Sequence, residues 1–338
     1  MKEIIIRTNF NKKIGLGHFF RCLYLQKLLT KKNFLVTFII DNNIATRLTK
    51  NLNIINFGNK KFNSFKDAKN TYEAIKNKNI SLIIIDDYRI DYKWESFFKK
   101  KGFKLAVIDD LANRKHSCDY LIDSGWYGFD KNNLRYNKLV GKKTIKLLGP
   151  KYKIINPKLK KIKTTKKIFF IYFGGGSYFL KYRKLIFYLI EELNKIKLKS
   201  VKVNLVISDL LKLKKSFSYK NIKVKVINNS YNLYNIINNT YLYIGANSSI
   251  VNELSYLNIP RILISVNKNQ NIDISHYQEL GNYFYIGYKK KINHKLFSDL
   301  VITIIKNYKR VKDLHKRKKI NIDKNGSGRI VKKLIENL

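Results

Sequence analysis

Cysteine is nearly absent from this chain, with two in 338 residues, and that excludes the disulfide-built scaffolds of small secreted domains. Cys22 falls in a helical pattern and Cys118 just before a strand, positions that core packing accounts for without a disulfide or a metal. No apolar run is long enough to span a bilayer. The first residues enter a strand directly, without the basic, apolar and small-residue regions of a secretory leader. A cytoplasmic protein with reduced thiols is the expectation. Acid is also scarce: 23 Asp and Glu stand against 69 Lys and Arg, a formal net charge of +46. Lysine is spread along the whole chain with abundant Asn, Ile and Tyr, the usage expected of an AT-rich genome. A nucleic-acid binder would gather its cations on one face or in one tail, so nucleic acid is not an expected partner. The basic runs at 158–167 and 289–291 read as solvated surface between elements.

What is present is a globular composition, 45% hydrophobic and 13% aromatic, long enough for two domains. The stretch from Glu3 to Leu29 reads as a buried strand (EIIIRT), a turn with Gly15 and Gly17, then His18 opening a helix with Phe20, Leu23, Tyr24 and Leu28 at helical spacing. A glycine-bearing strand-to-helix turn lets backbone approach a ligand and aims free N–H groups at it. The positive end of a helix dipole disfavours imidazolium, so His18 is expected to accept a proton as a general base. Many α/β domains carry such a turn and bind nothing there.

Further strands are expected at 34–41, 53–57, 81–87, 104–110, 119–123 and 146–150, alternating with helices, which means a mostly parallel sheet. Ligands of such sheets lie outside the carboxyl ends of the strands, where His18, Asp86, Asp87, Tyr88, Asp109 and Asp110 all fall. The stretch 151–166, with Pro157 and a run of lysines, reads as a linker. The pattern then restarts with a strand at 167–173, the turn Gly174-Gly175-Gly176-Ser177 and a long helix. The domains expected are therefore 1–150, 167–310 and a helical segment at 311–338. The fold class expected is α/β, two Rossmann-like parallel-sheet domains facing a cleft, the GT-B architecture.

Three clusters in the second half can bind a nucleotide-sugar. Gly174, Gly175 and Ser177 suit a phosphate, since the glycines clear its approach and a helix start supplies N–H groups. Asn247, Ser248 and Ser249 open a helix carrying Asn252 and Glu253, and a carboxylate there can accept from two sugar hydroxyls. The plainer reading of Glu253 is a capping-box acid. Asn269 and Gln270 form an amide pair able to donate and accept at once, or an ordinary turn.

These stretches together resemble one family. The run Ile4–Asn9 with Ile14–Leu25 (IIIRTN, IGLGHFFRCLYL), LIIIDDYRI at 82–90, LAVIDDLANRKHSCDYLID at 105–123 and GANSSIVNELSYLNIP at 245–260 followed by Asn269-Gln270 resemble, in the same order, the bacterial UDP-2,4-diacetamido-2,4,6-trideoxy-β-L-altropyranose hydrolases of pseudaminic acid biosynthesis. That family is similar in fold to the peptidoglycan glycosyltransferase that adds N-acetylglucosamine to lipid I. The resemblance implies that His18 is the catalytic histidine and Tyr88 an active-site tyrosine. It places Asn252, Glu253, Asn269 and Gln270 around UDP and the sugar, and it implies no metal and no cofactor. The chain departs from the family's usual pattern at Asn9 and at Ser177, each in place of Asp.

The expected reaction is attack of water, deprotonated by His18, at the anomeric carbon of a UDP-diacetamido-sugar, with inversion. Tyr88 and Asp87 orient His18 or the water, and Arg21 joins Gly15 and Gly17 as a substrate contact. The expected state is a monomer. The alternatives are a glycosyltransferase of the same architecture and a non-catalytic nucleotide-sugar or nucleic-acid binding protein.

Overall fold

Glu3–Thr8 forms β1 and is buried along its whole length, as a strand covered on both faces of a parallel sheet must be. The computed structural model describes the chain apart from residues 1, 11–15, 42–48, 59–60, 163–165, 175–177, 197–200, 208–215, 229–232, 267–275, 289–290 and 337. After β1 come α1 (Gly17–Thr30), β2 (Leu35–Ile40), β3 (Asn53–Asn56), α2 (Ser64–Ile75), β4 (Ile80–Asp86), α3 (Tyr92–Lys100), β5 (Leu105–Ile108), β6 (Tyr120–Asp123), α4 (Phe129–Leu134) and β7 (Ile145–Leu148). The sheet order is β3-β2-β1-β4-β5-β6-β7, parallel throughout. Side-chain caps set two of the helix starts: Asn63 accepts from the Lys66 N–H, and Asp91 from the Trp94 N–H.

The second sheet is built from β8 (Ile168–Tyr172), α5 (Tyr178–Lys195), β9 (Val201–Ile207), β10 (Ser216–Ser218), β11 (Ile222–Asn228), α6 (Leu233–Asn238), β12 (Leu242–Ala246), α7 (Ile250–Tyr256), β13 (Arg261–Ile264) and β14 (Phe284–Tyr285). Its order is β10-β11-β9-β8-β12-β13-β14. All pairs are parallel except β10 with β11, an antiparallel edge that hydrophobic spacing did not suggest. The chain ends in α8 (His294–Lys306), α9 (Tyr308–Lys316) and α10 (Gly326–Ile335). No helix among the described residues is long and apolar enough to cross a membrane.

The first unit comprises Met1–Ile155 with Asp323–Leu338, and the second Asn156–Ile322. The chain therefore returns to its first unit, where the sequence pattern suggested a single trailing helical segment from 311. Ile330, Val331 and Leu334 of α10 join Phe19, Cys22, Leu25 and Leu29 of α1 in one apolar cluster. The fit is close: a Cβ on Gly326 would lie 2.1 Å from the Lys153 carbonyl oxygen. The other face of the first sheet packs Trp94 and Phe98 of α3 against Ile83 and Ile85.

Candidate active site

In the first sheet the chain leaves β1 toward β2 and β3, then crosses back to β4 on the other side. The carboxyl ends of β1 and β4 therefore flank the point where strand order reverses, the place where doubly wound sheets bind ligands. Register sets Thr8 level with Asp86, and α1 opens nearby with Gly17 and His18.

Strand alternation decides what the acids at these ends touch. Leu82 and Ile84 belong to the cluster on the α1 side, and Ile83 and Ile85 to the opposite one. Asp86 continues the first series. Fully buried, it lies 2.6 Å from His18 Nδ1 and accepts from Arg21 Nε and Nη2, each at 2.5 Å. Burial opposes its charge, but the Arg21 guanidinium, and then His18, overcome that and hold the carboxyl well below the usual range. An ionised carboxylate can only accept, so His18 donates from Nδ1; this tautomer leaves the lone pair of the neutral ring on Nε2. That atom has no hydrogen-bond partner among the described residues, and the side chain is 13% exposed.

Tyr88 meets the imidazole edge-on, ring centroids 4.7 Å apart at 86°, and its hydroxyl donates to Asp110 Oδ2 at 2.8 Å. Burial and the Asp110 charge push the phenol up, keeping it protonated. Asp110 also takes Arg21 Nη1 at 2.6 Å, and its backbone carbonyl accepts from Arg135 Nη2 at 2.6 Å. Behind it Asp123 accepts from Gly125 N–H, Arg135 Nε and the Tyr136 hydroxyl. Burial and the neighbouring Asp110 push its carboxyl up to about 6. Half-buried Lys153 lies in the field of Asp110, Asp123 and Arg21, with burial holding its ammonium below the usual range.

Two expectations about this site change. Asp87 does not orient His18. It follows the alternate series to the other face, where it accepts from Arg89 Nη2 at 2.5 Å and faces buried Arg7 at 3.7 Å; Asp86 holds the imidazole instead. Arg21, expected as a substrate contact, spends Nε, Nη1 and Nη2 on carboxylates of its own chain. Asp109, like Asp87, faces away, toward Arg114 and His116. The roles of Asp86, Asp110, Arg135 and Lys153 were missed. The period-two alternation of SLIIIDD and KLAVIDD could have singled out Asp86 and Asp110, whereas nothing local marks Arg135 or Lys153.

In the second unit the strand order reverses between β8 and β12. Gly174 follows β8 with φ of +89° and open space where a Cβ would sit, a backbone shape that suits glycine. After β12, the Asn247 side chain donates to the Tyr277 hydroxyl at 2.7 Å, and Ser248 N–H bonds to the Ala246 carbonyl. Ser249 occupies the cap position of α7 without a side-chain capping bond. Asn252 is half-buried on α7. Glu253 accepts from the Asn156 N–H at 3.2 Å, not from the start of its own helix, so the capping-box reading does not describe it. Burial pushes its carboxyl up to about 7, against the pull of that N–H. Gly17 is the first residue of α1. Gly15, Gly175, Ser177, Asn269 and Gln270 lie outside the described residues.

The chain has the GT-B fold, two α/β units each built on a seven-stranded, predominantly parallel sheet. MurG of Acinetobacter baumannii is similar over 100% of this chain and 99% of its own, with a TM-score of 0.64 at 12% identity. TcCGT1, solved in complex with UDP, is similar over the same shares with a TM-score of 0.65 at 14% identity. A glycosyltransferase from Rickettsia africae, again over 100% and 99%, has a TM-score of 0.57 at 14% identity. No family model and no curated protein matches the chain.

Proposed function

We propose that this protein acts on a UDP-sugar, with His18 as the general base that deprotonates the nucleophile displacing UDP from the anomeric carbon. The observation that carries this reading is the imidazole held through Nδ1 by ionised Asp86, with no hydrogen-bond partner on Nε2 among the described residues. A proton passes from the nucleophile to Nε2 as the nucleophile's oxygen bonds to carbon and the bond from carbon to the phosphate oxygen breaks. Asp86 then faces an imidazolium, which its charge stabilises. Base catalysis of this kind is worth about 10²–10⁴-fold. Attack opposite the leaving group inverts the anomeric centre. UDP is assigned to the second unit, its diphosphate toward Gly174, Gly175 and Ser177 and its sugars toward Asn247–Ser249, Asn252, Glu253, Asn269 and Gln270. Similarity to a structure solved with UDP supports the nucleotide.

The nucleophile separates two readings. The four motif stretches of the sequence favour water, hence hydrolysis of a UDP-2,4-diacetamido-trideoxyhexose. The full-length similarity to the Rickettsia africae glycosyltransferase favours an acceptor hydroxyl. Incubation with that UDP-sugar, first without and then with candidate sugar and lipid acceptors, followed by UDP release and by NMR of the anomeric centre, decides between them. Release in water alone supports hydrolysis, and release only with an acceptor supports transfer. No release under either condition together with no UDP binding overturns the proposal.

A further inference from the structure

We infer that Arg21 is the positioning residue of the general base, holding both groups that hold the imidazole. This rests on the reading of His18 given above. Arg21 lies three positions after His18 along α1, so they share a helix face. The guanidinium chelates Asp86 through Nε and Nη2 and grips Asp110 through Nη1 at 2.6 Å. Asp86 in turn fixes the ring's Nδ1. Asp110 fixes the Tyr88 hydroxyl, and the Tyr88 ring closes on the imidazole edge-on. Both arms of the clamp thus end on one planar fork. The Arg21 side chain is only 19% exposed, and Nε, Nη1 and Nη2 are already bound to carboxylates.

The charges fit the same role. The proton taken up in the reaction arrives on a ring bonded to the Asp86 carboxylate, whose position the Arg21 guanidinium fixes. Cys22 completes the surroundings of Asp86, donating to Oδ2 at 3.4 Å. Asp123 and Lys153 act on Asp110 from behind. A lysine cannot reproduce the fork, because a single ammonium cannot chelate Asp86 in plane and reach Asp110 as well.

The test compares Arg21→Lys and Arg21→Gln with the wild-type chain in UDP release, UDP affinity by calorimetry and ¹⁵N NMR of His18. Loss of alignment predicts a kcat about 10²-fold lower in both variants. KM and UDP affinity stay within about threefold, since no substrate contact is removed. In the NMR spectrum, wild-type His18 shows the Nδ1–H tautomer, and both variants show a mixture. Should the arginine variants fail to fold, Asp110→Asn, which releases only the Tyr88 arm, is expected to lower kcat about tenfold at unchanged KM. A wild-type kcat in Arg21→Lys, a KM that rises while kcat holds, or an unmoved tautomer overturns the inference. Activity retained in His18→Ala overturns the underlying reading instead, and the NMR readout decides about Arg21 even with no turnover.

Discussion

Asp86 and Asp87 are chain neighbours whose carboxylates act on opposite faces of the first sheet: Asp86 binds His18 Nδ1 at 2.6 Å, and Asp87 binds Arg89 Nη2 at 2.5 Å. The two isosteric amides should therefore separate function from stability. Asp86→Asn is expected to lower kcat by about 10²–10⁴-fold, because a neutral amide no longer enforces the Nδ1–H tautomer. Asp87→Asn should keep kcat within about threefold and lose about 1–3 kcal/mol of stability by weakening the Arg7 and Arg89 pairs. Steady-state kinetics beside urea unfolding checks both.

His18→Ala should reduce UDP release by about 10²–10⁴-fold while calorimetry finds UDP affinity near the wild-type value. Full activity in this variant removes the base from the mechanism.

His116 offers a stability test away from the reacting groups. Burial disfavours its charge, but Asp109 and Glu95 outweigh burial and raise the imidazole from 6.5 to about 9. The folded state thus holds a proton that the unfolded chain gives up first. The resulting stabilisation is complete below pH 6.5 and is lost as pH rises toward about 9. Its size is on the order of 3 kcal/mol. Urea unfolding between those limits should show this decline in the wild type and a flatter profile in His116→Gln.

Glu253 has the same sign in a more acidic window. Its carboxyl is raised from 4.5 to about 7, so folding favours the protonated form and stability falls as pH rises through that window. Glu253→Gln should flatten that fall and raise the melting temperature at pH 8. If its carboxylate accepts UDP hydroxyls, the same change should weaken UDP binding about 10-fold or more.

Gly245 packs so tightly that an added Cβ would lie 1.9 Å from the Tyr172 carbonyl oxygen. Gly245→Ala must push β12 away from β8, at a cost of about 1–3 kcal/mol, visible as a lower urea midpoint.

The amino-acid sequence by itself determined the alternation of strands and helices, the restart near residue 167 and the gathering of His18, Asp86, Tyr88 and Asp110 at strand ends. Apolar runs and helical spacing are local properties, and a parallel sheet puts its loops of one kind at one edge. Only the tertiary structure decided which carboxylate serves the imidazole, that Arg21 faces acids instead of solvent, and that Gly326–Ile335 returns to pack on α1. Those outcomes depend on contacts between residues far apart in the chain, such as Arg21 with Asp110 and Lys153 with Gly326. Packing and charge pairing in three dimensions settle such contacts, and no single stretch of sequence contains them.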